Sequence, residues 1–124
     1  MSEVRILFFR KSSGKVPLRD WLEKLPAKDV RKCLERIERL RDVGHRLNRP
    51  FAAFLRDGVH ELRVESGNVN YRMLYFFHST TAVLISHGIA KKTQEMPPRE
   101  IERALRRKVA FEMRPEVHSF EWEA

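Results

Sequence analysis

The sequence predicts an α+β domain in which helices pack on a twisted, mostly antiparallel sheet, in the order β-α-α-β-β-β-α. Three observations carry that expectation. Val30, Cys33, Leu34, Ile37 and Leu40 recur at helical spacing, and so do Ile101, Ala104, Leu105 and Val109. Between residues 59 and 90, three β-rich runs follow one another across short turns. A length of 124 residues suits one domain and leaves little room for a second. Residues 1–114 are expected to form that domain, and residues 115–124 a C-terminal tail.

The elements follow in order. Residues 4–10 (VRILFFR) are β-rich and run into the turn residues KSSG, giving a first strand. Pro17 suits the first position of a short helix, LRDWLEKL, whose Leu18, Trp21, Leu22 and Leu25 share a face; Pro26 ends it. Residues 27–43 read as the clearest helix, with Gly44 placed as a C-terminal cap. Residues 45–58 have no sustained period and contain Pro50, Asp57 and Gly58, so they read as a long loop pinned by Phe51, Phe54 and Leu55.

Strands are expected over residues 59–65 (VHELRVE), 69–78 (VNYRMLYFFH) and 81–90 (TAVLISHGIA). The turns Ser66-Gly67-Asn68 and Ser79-Thr80 make them an antiparallel meander. The third strand is poor in polar residues and should lie centrally, covered on both faces. Pro97 and Pro98 open a last helix from residue 99 to about residue 113. Beyond it the pattern loses its period, and Trp122 is free to dock on the body or on a partner.

Twenty-five Lys and Arg against 17 Asp and Glu leave a formal charge of +8, a field that concentrates polyanions. Nucleic acid, a ribosome and an acidic protein all fit it. The only cysteine, Cys33, excludes an internal disulfide and reads as core filler. The start of the chain is too charged for a signal peptide, and no apolar run approaches the length of a spanning helix. A cytoplasmic protein that does not enter membranes is expected. Phosphate-loop, dinucleotide and zinc-protease motifs are missing, and the scattered histidines predict neither a metal site nor a cofactor.

What stands out is a set of cations in or beside strands: Arg63 in ELRVE, Arg72 in NYRMLYF, and Lys91 and Lys92 where the third strand ends. A meander can gather them on one surface. Arg offers a planar fork for two phosphate oxygens and Lys a compact charge. Such groups can also stabilise the charge of a pentacovalent phosphorus transition state. In the plainer alternative Arg63 pairs with Glu61 or Glu65 on an exposed strand.

The stretch DGVHELRVESGNVNYRMLYFF, followed by VLISHGIAKKTQEMPPREIERAL, resembles the phage-derived Gp49-like and HigB-like branch of the RelE superfamily. ELR, YR, and a hydrophobic strand ending in HG-hydrophobic-x-KK-T before a proline-opened helix occur in order. With Trp21 and Gly44, the resemblance spans about residues 4–110. It implies helices on an antiparallel sheet and the toxin half of a type II toxin–antitoxin pair. Such toxins cleave mRNA, many of them on the ribosome, without metal or cofactor, by attack of a ribose 2′-OH on the adjacent phosphate. The implied partners are mRNA, the ribosome and a helix-turn-helix antitoxin, with operator DNA reached only through the antitoxin.

By the same resemblance Arg63 and Arg72 grip the scissile phosphate, while Lys91 and Lys92 hold RNA backbone or stabilise charge. Relatives elsewhere in the superfamily place a lysine in the ELR strand and a tyrosine near the last helix. Glu61 and Met96-Pro97 stand near those places here. Proton transfer then falls to His87, whose residue type titrates near neutrality, or to Glu61, with His60 as a further candidate. His87 also reads as a hydrogen-bonded core residue, and Glu61 as the salt-bridge partner of Arg63. Tyr71 reads either as a stacking platform for an RNA base or as a core tyrosine. The alternatives to a nuclease are a non-catalytic RNA- or ribosome-binding module, and an inactive phage-derived protein acting through antitoxin binding and operon autoregulation.

Overall fold

A computed structural model describes residues 4–91 and 95–123. The elements are β1 (Arg5–Phe9), α1 (Pro17–Leu22), α2 (Ala27–Val43) with a 3-10 turn (Gly44–Arg46), β2 (Ala52–Arg56), β3 (Val59–Ser66), β4 (Val69–His78), β5 (Thr81–Leu84), β6 (Ile89–Lys91), α3 (Pro98–Met113) and β7 (Ser119–Glu121). One sheet runs β2-β3-β4-β5-β1-β7, and β6 also pairs with β4. All pairs are antiparallel except β1 with β5. The α+β expectation holds, as does the β3-β4-β5 meander with β5 inside the sheet.

Side chains alternate across the sheet, and each face has its own core. Ile6, Phe8, Leu62, Met73 and Tyr75 meet Leu18, Leu22, Cys33, Ile37 and Leu40 of α1 and α2. On the other face Leu7, Phe9, Val59, Leu74, Phe76, Val83 and Ile85 meet Ile101, Ala104 and Phe111 of α3. Each large apolar side chain so buried contributes about 1.5–3 kcal/mol. Cys33 is core filler; burial pushes its thiol up to about 12, well away from reactivity.

Three elements depart from the sequence reading. The 45–58 loop contains β2, which returns into β3 through Asp57 and Gly58 at φ 52° and 83°. Positive φ at both central residues is what a tight two-residue hairpin requires. The expected 81–90 strand is broken into β5 and β6. Tyr75 pairs with Leu84 and Arg72 with Ile89, so two residues of β4 face four residues, 85–88. The Ser86 hydroxyl accepts from Leu74 N at 2.8 Å and substitutes for the interrupted ladder, while Arg107 donates to Ile85 O at 2.9 Å. Gly88 passes so close to Trp21 that a Cβ would sit 2.2 Å from the indole ring. Lastly, residues 119–121, given no regular structure from the sequence, pair with β1. Trp122 follows, stacked on Phe8 at 6.4 Å between centroids.

The first turn of α2 is tied to the β3–β4 hairpin by a buried carboxylate. Tyr71 donates its phenol to Asp29 at 2.5 Å, and the Ser66 hydroxyl donates to the other oxygen. These bonds hold the Asp29 carboxyl below its usual range, the Ser66 bond most, and push the Tyr71 phenol up to about 12.

Candidate functional site

The β2 ladder stops short of the end of β3. Arg63 N donates to Phe51 O at 2.8 Å, and beyond that point the edge of β3 is met by α2. Arg36 donates to Arg63 O at 2.9 Å and Lys32 to Glu65 O at 3.5 Å. Burial, with Arg39 nearby, lowers the Arg36 pKa.

On the α3 face of the sheet, Arg63 lies directly opposite Arg72. Like charges in that position repel. Glu61, two residues earlier on the same face, offsets the repulsion. Arg63 Nε donates to Glu61 Oε2 at 2.8 Å, and Arg72 Nε lies 3.5 Å from the same oxygen. Arg72 also donates to Tyr71 O at 3.0 Å. Glu61 is 2% exposed and Arg72 5%. Burial lowers the Arg72 pKa, Glu61 opposes that shift, and Arg63 adds to it.

Two buried atoms of this cluster, Glu61 Oε1 and Arg72 Nε, lack a hydrogen-bond partner among the described residues. The 3.5 Å approach of Arg72 Nε to Glu61 is close enough for attraction but not aligned as a hydrogen bond. Buried polar groups are nearly always satisfied, which sets this pair apart from the rest of the sheet.

The cluster opens into a cavity of about 390 Å³ lined by Arg36, Pro50, Phe51, Arg63, Glu65, Asn70 and Arg72. A second cavity of about 420 Å³, with Lys32 and Arg39 on its wall, shares Arg36, Phe51 and Glu65 with the first. Together they form a cationic groove along the edge of β3 that α2 meets.

Of the residues singled out from sequence, Glu61, Arg63 and Arg72 come together. Lys91 pairs through its backbone with Asn70, two residues along from the Arg72–Ile89 pair; Lys92 lies outside the described residues. His87 sits in the 85–88 bulge, apart from the groove lining, with Arg103 Nη1 3.4 Å from both ring nitrogens. Burial lowers its pKa against the pull of Glu100, with Arg103 and Arg107 helping, so the ring is neutral near pH 7. His60 faces the α2 side, stacked on Tyr75 at 5.1 Å, with a pKa lowered by burial and then by His45.

Tyr71 requires a correction. It points to the α2 face, away from Arg72, and is buried with its hydroxyl on Asp29 and its ring edge-on to Trp21 at 5.5 Å. No face is left for an RNA base, and it is a core tyrosine.

The sequence reading missed Arg36, Phe51, Asn70 and Glu65 as groove residues. One signal was available: Lys32, Arg36 and Arg39 form a basic row at helical spacing beside the apolar stripe of α2. Among the described residues no group of three or more His, Cys, Asp or Glu is placed to hold a metal ion. No helix there is long and apolar enough to cross a membrane.

Sheet and groove define a small α+β protein that holds cations, backed by a buried carboxylate, along an open groove. Its lineage is narrower than that class. Residues 20–109 match the family described as phage derived protein Gp49-like (DUF891), and the chain belongs to that family, which is associated with toxin–antitoxin systems. No curated protein matches the chain. The family points to a toxin and to a cognate antitoxin as its partner.

Proposed function

We propose that the chain is the toxin of a type II toxin–antitoxin pair in the HigB-like branch of the RelE superfamily, and that it cuts mRNA on translating ribosomes in the cytoplasm. The observation that carries this reading is the buried Glu61 holding Arg63 and Arg72 at the floor of a cationic groove. A carboxylate beneath two arginines fixes their forks before substrate arrives, which is where electrostatic catalysis gains most. Arg63 and Arg72 hold the scissile phosphate, and Lys91 and Lys92 contact the RNA backbone.

The ribose 2′-oxygen attacks phosphorus and gives up its proton. The bond from phosphorus to the 5′-oxygen breaks, and that oxygen takes a proton. The products are a 2′,3′-cyclic phosphate and a 5′-hydroxyl, and the arginines carry the extra negative charge between them without a metal. Glu65 on the groove wall suits a proton transfer, whereas His87 lies in the 85–88 bulge outside the groove lining. Glu61 positions the arginines. The antitoxin covers the groove and brings the pair to operator DNA.

The test is cell-free translation with mRNA 5′ ends mapped for wild type, Arg63→Gln and Arg72→Ala. Arg63 is the cleaner site because its side chain is partly exposed and Arg72 remains as counter-charge to the buried Glu61. New ends that require translating ribosomes, and fall about a hundredfold in Arg63→Gln, are expected. Intact mRNA with natively folded protein would overturn the reading. A second reading is a module that holds RNA without cutting, favoured by the lack of any histidine or tyrosine among the described groove-lining residues. In that case binding falls in Arg63→Gln and cut ends never form.

A further inference from the structure

We propose that Phe51, with Arg36 and Asn70, forms a subsite for one unpaired RNA base beside the phosphate-gripping arginines. The inference rests on the RNA reading above but not on cleavage.

Phe51 stands at the boundary of the two cavities and lines both. It is 36% exposed, whereas the aromatic rings of the two sheet cores are buried. A phenyl ring on the wall of a cationic groove gains little stability from being there, yet it offers what a base needs, a flat apolar surface. The ring is held in place. The Arg36 guanidinium lies 4.4 Å from its centroid and is itself tied to Arg63 O at 2.9 Å. Arg36 thus links the ring to the strand that carries the phosphate grip.

Phe54, although more exposed, is committed elsewhere, edge-on to His60 at 5.2 Å and outside both cavities. Asn70 supplies the polar part. It lies opposite Glu65 on β3 and Lys91 on β6, lines the same cavity, and its amide has no partner among the described residues. An amide presents a donor and an acceptor side by side, the pattern that reads a base edge.

Geometry selects the ligand class. The cavity that holds Phe51 and Asn70 also holds Arg63 and Arg72, so a base on the ring keeps its own phosphate within reach of the arginines. At about 390 Å³ the space falls within the range of small-ligand sites. A base still stacked in a duplex cannot lay its face on a wall ring, so the strand must be single and the base turned out.

The experiment measures binding of a short single-stranded RNA of mixed sequence by fluorescence anisotropy at low salt. The same strand is made with one abasic nucleotide placed at each position in turn. Wild type is expected to lose about tenfold in affinity for one abasic position and little for the others. Phe51→Ala should lose about tenfold on the intact strand and nothing more on that abasic strand, and Phe51→Trp should recover the loss. Asn70→Ala should shift which base is preferred while leaving the dependence on Phe51. Circular dichroism checks the fold. If Phe51→Ala unfolds, Phe51→Leu, which keeps apolar bulk without a ring face, replaces it.

Equal losses on intact and abasic strands, no recovery with Phe51→Trp, or no RNA binding at all would overturn the subsite. So would an acidic peptide that competes with RNA only when Phe51 is present, since the ring would then serve a protein. The two proposals fail separately. Base-dependent binding through Phe51 without cut mRNA ends removes the nuclease reading alone, and cut ends with binding indifferent to Phe51 remove the subsite alone.

Discussion

Strands β3 and β4 carry a buried carboxylate cluster on each face, and the two are built differently. On the α2 face, Asp29 accepts from two neutral hydroxyls, Ser66 and Tyr71, and the group is closed. On the α3 face, Glu61 lies between two cations, one of its oxygens lacks a partner among the described residues, and the cluster opens into a groove. Two hydroxyls satisfy the oxygens of the Asp29 carboxylate but leave its negative charge in place, with Lys28 and Lys32 nearby. Two arginines on one carboxylate leave a net positive charge. Buried carboxylates on the two faces of the same strands thus form a closed fastener on one side and a cationic cluster open to a groove on the other.

The largest test of that contrast is Glu61→Gln. It leaves Arg72 buried without its counter-charge and Arg63 facing it, so unfolding free energy should fall by about 3 kcal/mol. Cleavage should fall with it, even below the melting transition. Denaturant unfolding together with mapped 5′ ends checks both, and a Glu61→Gln protein of wild-type stability and activity would break the comparison. Tyr71→Phe comes next. It removes one hydrogen bond to a charged group, costing about 1.5 kcal/mol, while RNA affinity should stay within about twofold. Loss of RNA binding at native stability would return Tyr71 to the site.

The smallest effect is in pH. The folded pKa values of His60 and His87 lie below their ordinary value, as does that of Asp29. In each case the unfolded chain binds more protons as pH falls, so stability declines toward acid. The histidine part should be lost from about pH 6.5 downward, and the Asp29 part from about pH 4 downward. Asp29→Asn should flatten only the lower step and His87→Asn part of the upper one, as read from melting temperature against pH.

Helices α2 and α3 and strands β3 and β4 were legible because their periods are long and unbroken. Strand β2 was hidden behind Pro50 and a pair of alanines, although Asp57-Gly58 before Val59 was hairpin chemistry in plain view. The break between β5 and β6 depends on a Ser86 side chain standing in for a backbone partner, which no period records. Strand β7 is three residues long and exists through its pairing with β1. In the site, the facing of Arg63 and Arg72 followed from the meander. Tyr71 was left open between an RNA-stacking and a core reading, although strand alternation already sets it on the opposite face from Arg72. Arg36 and Phe51 reach the groove from an earlier helix and loop, and only tertiary packing brings them there.

The contact of Gly88 with Trp21 bears on how this chain can evolve. The bulge that carries His87 can gain no side chain at position 88 while the indole of α1 occupies its space. Any lineage that enlarges residue 88 must first trim residue 21. A bulkier residue at position 88 is therefore expected together with a smaller residue at position 21, whereas a smaller residue at 21 can arise alone.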